Sequence, residues 1–377
     1  MPLRCRSLIV PVALATSLAG CHAPKTDALP LLSQQALAAV RPDPGAPREE
    51  LARAVDALFA AKNVGETRAV VVMANGRIAA ERYAPGYGPD TRLVSWSMAK
   101  TITAVMIGML VADGRLSLDQ PAPIPRWLRP GDPRGAITLR YLLQMRSGLQ
   151  HTEAGPIPYE SSEVRMLFLD GRDNMAQWAE EQPLETVPGS QFKYSSNTTV
   201  ILSDIAARVL TNDSSDPETR RRAVADYLKA RLFDPLGMTS VVPEFDRSGT
   251  LIGGSLMHAT ARDYARFGEL LRNKGSYRGI QIVPRGWVIA MTTPSPKSPQ
   301  YGLQTWLNNP VKPGADDALF PRLALHSLFG MVGHMGQYVL VSPRQGVTLV
   351  RLGQSDEAQR AALKPLMADV INLYPER

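Results

Sequence analysis

Residues 95–101 of this chain read Ser95-Trp96-Ser97-Met98-Ala99-Lys100-Thr101 and stand directly before an apolar run at residues 102–112. The run has the length of a buried helix and ends at Asp113-Gly114, where a helix can stop. Residues three apart share one face of a helix, so Ser97 and Lys100 are predicted to point the same way. An amine can take the proton of a hydroxyl, and the positive end of a helix favours the resulting anion. The stretch therefore predicts a serine nucleophile.

A second Ser-x-x-Lys occurs at Ser190-Gln191-Phe192-Lys193, so the spacing alone is weakly specific. This second serine follows Pro188-Gly189 and leads into a predicted turn and an irregular segment. Ser97 instead follows a predicted hairpin and opens an apolar helix. The context therefore favours Ser97 as the nucleophile.

The N-terminal residues have the composition of a targeting signal. Arg4 and Arg6 precede an apolar core at residues 8–18. Leu18-Ala19-Gly20-Cys21 resembles the lipobox of bacterial lipoproteins, in which the signal is cut before the cysteine and the cysteine is acylated. We therefore predict a signal peptide at residues 1–20 and a lipid anchor on Cys21. An ordinary secretory signal cut nearby is the alternative.

The segment after the signal predicts a tether and a location. Residues 21–45 are rich in Ala, Pro and Leu, which is typical of a linker between a lipid and a folded domain. No aspartate follows Cys21 directly. By resemblance to lipoprotein sorting in bacteria with two membranes, this predicts the periplasmic face of the outer membrane.

Charge and composition argue against two classes of function. The 377-residue chain has a formal net charge of +7, but its basic residues are scattered and form no dense run with interleaved aromatics. Nucleic-acid binding therefore has little support. The five histidines show no metal-ligand spacing, and one of the two cysteines, Cys5, lies in the predicted signal. We therefore predict no metal site and no cofactor.

The order of predicted elements indicates an α+β fold. A hairpin is predicted at residues 69–80 because Asn75-Gly76 fits the turn that strand twist prefers. Further strands are predicted at residues 337–341 and 347–352. Helices are predicted at residues 48–61, 138–145, 175–181, 199–210, 219–232 and 357–373. Strands near both ends, with a helical block between them, predict one antiparallel sheet, with a ligand cleft between two lobes.

Two later segments could complete an active site. Tyr194 follows Lys193, and a tyrosine beside an ammonium can act as a general base or acid; the alternative is an aromatic plug in a loop. Residues 330–338 are rich in glycine and lead into a strand, so their backbone N–H groups could bind an oxyanion. The alternative there is a simple turn, in which His334 is structural.

The order Ser97-x-x-Lys100, Tyr194-x-Ser196 and His334-x-Gly336 resembles the serine β-lactamase-like family. This family includes class C β-lactamases, D-alanyl-D-alanine peptidases, esterases and 6-aminohexanoate-oligomer hydrolases. Residues 137–149, 233–238, 259–268 and 301–306 also resemble family segments, so the likeness covers about residues 50–370. It implies a β-lactamase/transpeptidase-like catalytic domain at residues 46–377. The α/β lobe would comprise residues 46–100 and 250–377, and the all-helical lobe residues 101–249.

The same resemblance implies roles for individual residues. Ser97 would be acylated, and Lys100 and Tyr194 would share the proton transfers, with either as the acylation base. The backbone N–H groups of Ser97 and Gln337 would bind the oxyanion. The remaining substrate-side residues implied by the motifs are Ser196, His334 and Gly336.

Two departures from the class C pattern bear on the substrate. Ser196 stands where an asparagine is usual, and His334-Met335-Gly336 replaces the usual Lys-Thr-Gly. In that family the lysine helps hold the β-lactam carboxylate, so its absence weakens the case for an efficient β-lactamase. Both departures also occur in the esterase and 6-aminohexanoate-hydrolase branch.

The sequence therefore predicts a membrane-tethered serine hydrolase that cleaves a small ester or amide through an acyl-enzyme on Ser97. A D-amino-acid peptidase or weak β-lactamase is one alternative. A non-catalytic envelope protein that binds peptidoglycan fragments is another. Acyl transfer to an alcohol or amine instead of water is a third.

Overall fold

The computed structural model describes residues 32–311 and 317–377. The predicted signal peptide, the lipid site at Cys21 and the first part of the predicted tether lie outside the described residues. No helix in the described ranges is long and apolar enough to cross a membrane.

The tether predicted for residues 21–45 does not extend through residues 32–45, which pack on the domain. Val40 is buried and forms a β-bridge with Ala80. Arg48 donates hydrogen bonds to the carbonyl groups of Leu37 and Val40. Apolar burial and backbone pairing therefore fix this segment, and the folded domain begins before residue 46.

The helices and strands of the described residues follow in chain order. The helices are α1 (Gln34–Ala38), α2 (Arg48–Ala60), α3 (Ala99–Ala112), α4 (Leu139–Leu143), α5 (Ser162–Phe168), α6 (Met175–Glu180), α7 (Ser196–Thr211), α8 (Pro217–Leu228), α9 (Asp234–Leu236), α10 (Ala261–Arg272), α11 (Arg285–Met291) and α12 (Glu357–Asn372). The strands are β1 (Glu66–Ala74), β2 (Arg77–Tyr83), β3 (Leu93–Val94), β4 (Val242–Pro243), β5 (Met257–Ala259), β6 (Ser276–Tyr277), β7 (Ile280–Gln281), β8 (Trp306–Leu307), β9 (Phe329–Gly333), β10 (Gln337–Ser342) and β11 (Val347–Gln354).

The main sheet joins the two ends of the chain, which confirms the predicted α+β architecture. Its six strands lie in the order β2-β1-β11-β10-β9-β8, and each pair is antiparallel. The junction is β1 against β11, where Val71 is paired with Val350. Between these sheet strands, residues 101–249 are mainly helical, with the short β4 near their end.

Both faces of the sheet are covered, and this explains why its strands are nearly continuously apolar. Side chains alternate across a strand, so Val70 and Val71 belong to two different hydrophobic cores. Val70 packs with helices α2 and α12 on one face of the sheet, and Val71 packs in the core on the other face. Helix α10 covers that second face, with Phe267 fully buried. The sheet is therefore a central layer that gives its edge strands a fixed position.

Helix α3 crosses the interior of the domain, and its residues from Ala99 to Leu110 are all buried. A helix that is apolar on all sides is stable only when it is surrounded by protein. Helix α7 lies against α3 and is also mostly buried. The N-terminal ends of these two helices carry Lys100 and Ser196, which meet at the site described next.

Candidate active site

Ser97 lies in a single 3-10 turn, Trp96–Met98, that leads directly into α3. The helical spacing predicted from the sequence is retained through this turn. Lys100 Nζ donates a hydrogen bond to Ser97 Oγ at 2.8 Å. The structure therefore brings the predicted serine and lysine together.

Lys100 is 1% exposed, yet its ammonium is fully satisfied. Besides Ser97, its Nζ donates to Ser196 Oγ at 2.7 Å and to the Gly254 carbonyl at 2.8 Å. Burial disfavours the charge, but the neighbouring acidic groups, with the Glu153 carboxylate among them, outweigh burial, and the pKa of Lys100 is raised. Lys100 is therefore a cation at neutral pH, with one acceptor for each proton.

Tyr194 lies close to Lys100, within a cluster of aromatic rings. Its ring centroid is 5.8 Å from that of Tyr301 and 5.2 Å from that of Trp306. Lys100 Nζ lies 4.8 Å from the centroid of the Tyr194 ring, and the hydroxyl interacts with Ser97 and Lys100. Burial raises the pKa of Tyr194 more than Lys100 lowers it, so the side chain is a neutral phenol.

The residue before the nucleophile has an unusual backbone conformation. Trp96 has φ +45°, in the left-handed region that bulky side chains rarely adopt. Its indole packs edge-on against His334, with ring centroids 5.3 Å apart. Strained residues of this kind often occur at active sites, where the surrounding structure holds them in place.

The glycine-rich segment forms the end of β9 and a tight turn into β10. Its sheet position was not predicted. Pairing of β8 with β9 stops at Gly330, so the last residues of β9 present an edge toward the Ser97 turn. A Cβ at Gly333 would lie 2.4 Å from the Ser95 carbonyl oxygen, so only glycine permits this approach.

The predicted substrate-side residues separate into two groups. His334 lines the cavity that contains Ser97. Gly336 is buried in the turn with φ +80°, and Arg351 Nη1 donates to its carbonyl at 2.8 Å. The side-chain amide of Gln337 bonds the His334 and Gly353 carbonyls. Gly336 and Gln337 therefore shape the turn and do not line the cavity, because β10 starts behind it.

Ser196 also lies behind the cavity surface, with no exposed area. It is the first residue of α7, and its Oγ accepts the hydrogen bond from Lys100. This geometry gives Ser196 a contact with the lysine, where a contact with substrate was predicted.

Two glutamates reach this serine from the segment that precedes α5 and from α5 itself. Glu153 Oε1 lies 2.7 Å from Ser196 Oγ and 3.6 Å from Lys100 Nζ. Glu163 Oε1 lies 2.9 Å from the same Oγ. Neither glutamate was predicted as a site residue, since an isolated glutamate carries no periodic or motif signal.

Ser97 opens into a cavity of about 540 Å³. Most of its wall is apolar, and the charged or titratable groups gather near Ser97 and at one side. The cavity is lined by Trp96, Ser97, Glu153, Ala154, Gly155, Pro158, Ser161, Glu163, Val164, Leu167, Phe168, Tyr194, Trp306, Val332, Gly333, His334 and Arg360. A cavity of this kind suits a small organic molecule with a substantial apolar part.

The second Ser-x-x-Lys has none of these features. Ser190 is exposed, and its Oγ donates to the Val187 carbonyl at 2.6 Å. Lys193 pairs with Glu185 at the surface. Within the described ranges, no group of three or more His, Cys, Asp or Glu side chains could hold a metal ion.

The fold and the serine–lysine–tyrosine geometry define a class of proteins, and comparison with known sequences places the chain within it. The family model for β-lactamases matches residues 55–371, and the chain belongs to that family.

Two curated relatives are hydrolases that are not named as β-lactamases. The 6-aminohexanoate-dimer hydrolase of Paenarthrobacter ureafaciens is 27% identical over 270 residues, which are 66% of this chain and 64% of that enzyme. Esterase EstB of Burkholderia gladioli is 30% identical over 161 residues, which are 40% of this chain and 38% of the esterase. The chain thus matches less than two thirds of the length of either relative.

A solved structure extends the likeness in fold. A family VIII carboxylesterase superposes with a TM-score of 0.62 at 15% identity, covering 85% of this chain and 96% of the esterase. The β-lactamase/transpeptidase-like fold implied by the motifs is therefore confirmed.

Proposed function

We propose that this protein is a serine hydrolase that cleaves a small carboxylic ester or short amide through an acyl-enzyme on Ser97. The observation that carries the proposal is the hydrogen bond from Lys100 to Ser97 Oγ, beside the buried Tyr194 side chain, whose ring centroid lies 4.8 Å from Lys100 Nζ. A serine held by a buried cation and a phenol, and opening into a largely apolar cavity, has the groups that nucleophilic catalysis requires.

In the proposed acylation step, Ser97 Oγ attacks the carbonyl carbon of the substrate. The new Oγ–C bond forms as the carbonyl oxygen takes up negative charge. Tyr194 accepts the Ser97 proton and gives its own proton to the leaving group, and the bond to that group breaks. Lys100 remains a cation, stabilises the charge that develops at Oγ and holds the serine in position.

We propose that the oxyanion is bound by the backbone N–H groups of Ser97 and His334. Gly333 is paired with Gln337 of β10. His334 directly follows the last residue of β9 and lines the cavity that contains Ser97, and on that ground we assign the oxyanion to its backbone N–H. This proposal replaces the amide of Gln337 with that of His334.

Hydrolysis of the acyl-enzyme would use the same groups in reverse. A water molecule attacks the acyl carbon, Tyr194 takes its proton, and Ser97 leaves with the proton that Tyr194 returns. The acid is then released. Addition of an alcohol or amine would increase product formation if the protein is instead an acyltransferase.

The wall of the cavity supports a substrate with an apolar acyl or leaving group. Leu167, Phe168 and Trp306 line it, and the last lies in contact distance of the Tyr194 ring. Esters and short amides with an aliphatic or aromatic part fit this lining better than highly charged molecules do.

A second candidate substrate carries a carboxylate, as D-amino-acid peptides and β-lactams do. Arg360 lines the same cavity as His334, and its Nε has no hydrogen-bond partner among the described residues. A guanidinium without a partner can bind a substrate carboxylate. Arg360→Gln would then weaken binding of nitrocefin while leaving hydrolysis of neutral esters unchanged.

The deciding experiment is intact-mass analysis after treatment with a fluorophosphonate, on the wild type and on Ser97→Ala. One adduct on the wild type and none on the variant would support an activated Ser97, and p-nitrophenyl esters, anilides and nitrocefin would then be screened. A folded wild type without an adduct would favour the non-catalytic, fragment-binding alternative.

Attachment to the periplasmic face of the outer membrane through a lipid on Cys21 remains part of the proposal. Cys21 precedes residue 32, where the described domain begins. Metabolic labelling with palmitate, together with membrane fractionation of the wild type and Cys21→Ser, tests it. An unlabelled wild-type protein in the soluble fraction would contradict it.

A further inference from the structure

The hydroxyl of Ser196 is the meeting point of three charged or ionisable side chains. Lys100 Nζ lies 2.7 Å from Ser196 Oγ, Glu153 Oε1 2.7 Å and Glu163 Oε1 2.9 Å. Ser255 Oγ is more distant at 3.5 Å, beyond the range of a good hydrogen bond. The three short contacts must therefore be satisfied by one hydroxyl group.

A count of donors and acceptors shows what this requires. A serine hydroxyl has one proton to donate and two lone pairs that accept. The Lys100 ammonium occupies one lone pair, and the hydroxyl proton can go to only one of the two carboxyl groups. The other carboxyl must itself donate into the second lone pair, and so it must carry a proton.

The contacts of the two glutamates indicate which of them is protonated. Glu153 also accepts the backbone N–H of Ser196 and lies 3.6 Å from Lys100 Nζ, so it has the partners of an ionised carboxylate. Glu163 has no ion pair with any of the described residues; its hydrogen bond is to Ser196. The proton therefore belongs on Glu163.

We infer that Glu163, in its neutral form, is a positioning residue that donates a hydrogen bond to Ser196 and thereby holds Lys100 against Ser97. The inference rests on the proposed hydrolase function for its effect on Ser97. The four side chains Glu163, Ser196, Lys100 and Ser97 form a continuous chain of hydrogen bonds, and ionisation of the first removes one of its donors.

The surroundings of Glu163 support this assignment. Burial, together with the charge of Glu153, raises the pKa of Glu163 to about 7, against the opposing effect of Lys100. Arg165, on the same helix, is turned away and pairs with Asp170. The other titratable or charged groups near the cavity are Glu153 and Glu160 from the preceding segment, Lys100 from α3, Tyr194 and Tyr301 from the aromatic cluster, His334 after β9, and Arg360 from α12.

The sign of the pH dependence follows directly. Glu163 is neutral below a pH of about 7, and the hydrogen-bonded chain is complete there. Above it, Ser196 faces two carboxylates that repel each other, and the arrangement at Lys100 is disturbed. At pH 8 only about one tenth of the molecules retain the competent form, so the reaction rate at Ser97 falls about tenfold from this cause.

The proton on the Glu163 carboxyl group can be detected without an activity assay. Infrared difference spectra of the wild type, Glu163→Gln and Glu160→Gln, recorded between pH 5 and pH 9, report the C=O band of a protonated carboxyl group. All three proteins share the band of buried Glu180, whose pKa is raised to about 8. We expect a further band that disappears near pH 7 in the wild type and in Glu160→Gln, and is missing in Glu163→Gln. Glu160 is an exposed glutamate three residues away and is the matched control. Spectra without this difference would overturn the inference.

The effect on Ser97 is measured by the rate of fluorophosphonate labelling across the same pH range. Glutamine is neutral and can donate through its amide, so Glu163→Gln should label at a rate within threefold of the wild type at pH 6 and about tenfold faster than it at pH 8. Glu163→Leu cannot donate and should label more slowly at both pH values.

The outcomes separate the two proposals. A Glu163→Gln profile that parallels the wild type, or a Glu163→Leu rate equal to the wild type at pH 6, would overturn the positioning role. If Glu163→Leu does not fold in a thermal unfolding control, the glutamine variant still decides. If the wild type is not labelled at any pH, the proposed hydrolase function fails, and the infrared titration alone judges the proton on Glu163.

Discussion

Lys100 Nζ lies 2.8 Å from Ser97 Oγ, although the lysine is almost fully excluded from solvent. An isolated buried ammonium would be strongly disfavoured, so it must be held by acceptors and neighbouring negative charge. The Gly254 carbonyl and Ser196 hydroxyl supply the acceptors, and Glu153 supplies the charge. The lysine is thereby fixed as a permanent cation beside the nucleophile.

Replacement of Ser97 tests whether this cation activates the serine. Ser97→Ala removes a small, partly exposed hydroxyl, so the fold should be retained while covalent labelling and ester turnover are lost. Ser190→Ala, in the second Ser-x-x-Lys, is the control and should keep full activity. Mass spectrometry and circular dichroism of both variants check this; labelling that persists in Ser97→Ala would refute the assignment.

Replacement of Tyr194 tests its role in proton transfer separately from packing. Tyr194→Phe keeps the ring among Tyr301 and Trp306 but removes the hydroxyl, so kcat should fall by about 10²–10⁴ with little change in melting temperature. Tyr301→Phe, in the same aromatic cluster, should retain kcat within a few fold. Steady-state kinetics with a p-nitrophenyl ester measures both. Equal losses in the two variants would show that the cluster matters only through packing.

Replacement of Gly108 tests how tightly the nucleophile helix is held. A Cβ at Gly108 in α3 would lie 2.2 Å from Trp287 Nε1, which donates to the Ala104 carbonyl at 3.0 Å. Gly108→Ala should therefore lower the free energy of unfolding by about 1–3 kcal/mol.

Urea denaturation measures this loss, and α11 offers a matched glycine. A Cβ at Gly286 would meet nothing within 4 Å, so Gly286→Ala should be neutral or stabilising by up to about 1 kcal/mol. If the two variants have the same stability, the close contact with Trp287 is not restrictive.

Glu180 makes the stability of the domain depend on pH. Its side chain is 1% exposed, and burial together with the neighbouring Asp204 raises its pKa to about 8, although Arg126 Nε lies 3.2 Å away. An acid whose pKa is raised on folding stabilises most below the unfolded value, which is about 4.5. That contribution is lost as pH rises from about 4.5 to about 8.

Glu180→Gln should therefore raise the free energy of unfolding at pH 8 by roughly 1–3 kcal/mol. The glutamine amide is neutral at every pH, so the interior no longer holds a carboxyl group that ionises. Glu181→Gln is the control, since Glu181 is half exposed and Arg126 lowers its pKa. That variant should be neutral or slightly destabilised at pH 8. Thermal unfolding at several pH values checks both; a Glu180→Gln protein destabilised at pH 8 would contradict the prediction.

Much of the sheet could be predicted because its strands carry their own signals. The hairpin around Asn75-Gly76 and the apolar strand at Val347–Gln354 were both identifiable. Strand β9 was missed because Phe329–Gly333 contains two glycines and no clear alternation. Its conformation depends on pairing with neighbours: a Cβ at Gly330 would lie 2.8 Å from the Val339 carbonyl oxygen. Helix α10 was quoted only as a motif, although it covers a whole face of the sheet.

The sequence by itself determined the relation between Ser97 and Lys100, because residues three positions apart in a helical segment have their side chains on the same face. It also distinguished this serine from Ser190 through the apolar helix that follows. Only the tertiary structure decided what surrounds the lysine. Glu153 and Glu163 reach Ser196 through packing between segments that are distant in the chain, and no local pattern encodes such a contact. The protonation states of the site therefore depend on burial and neighbouring charge, which exist only in the folded molecule.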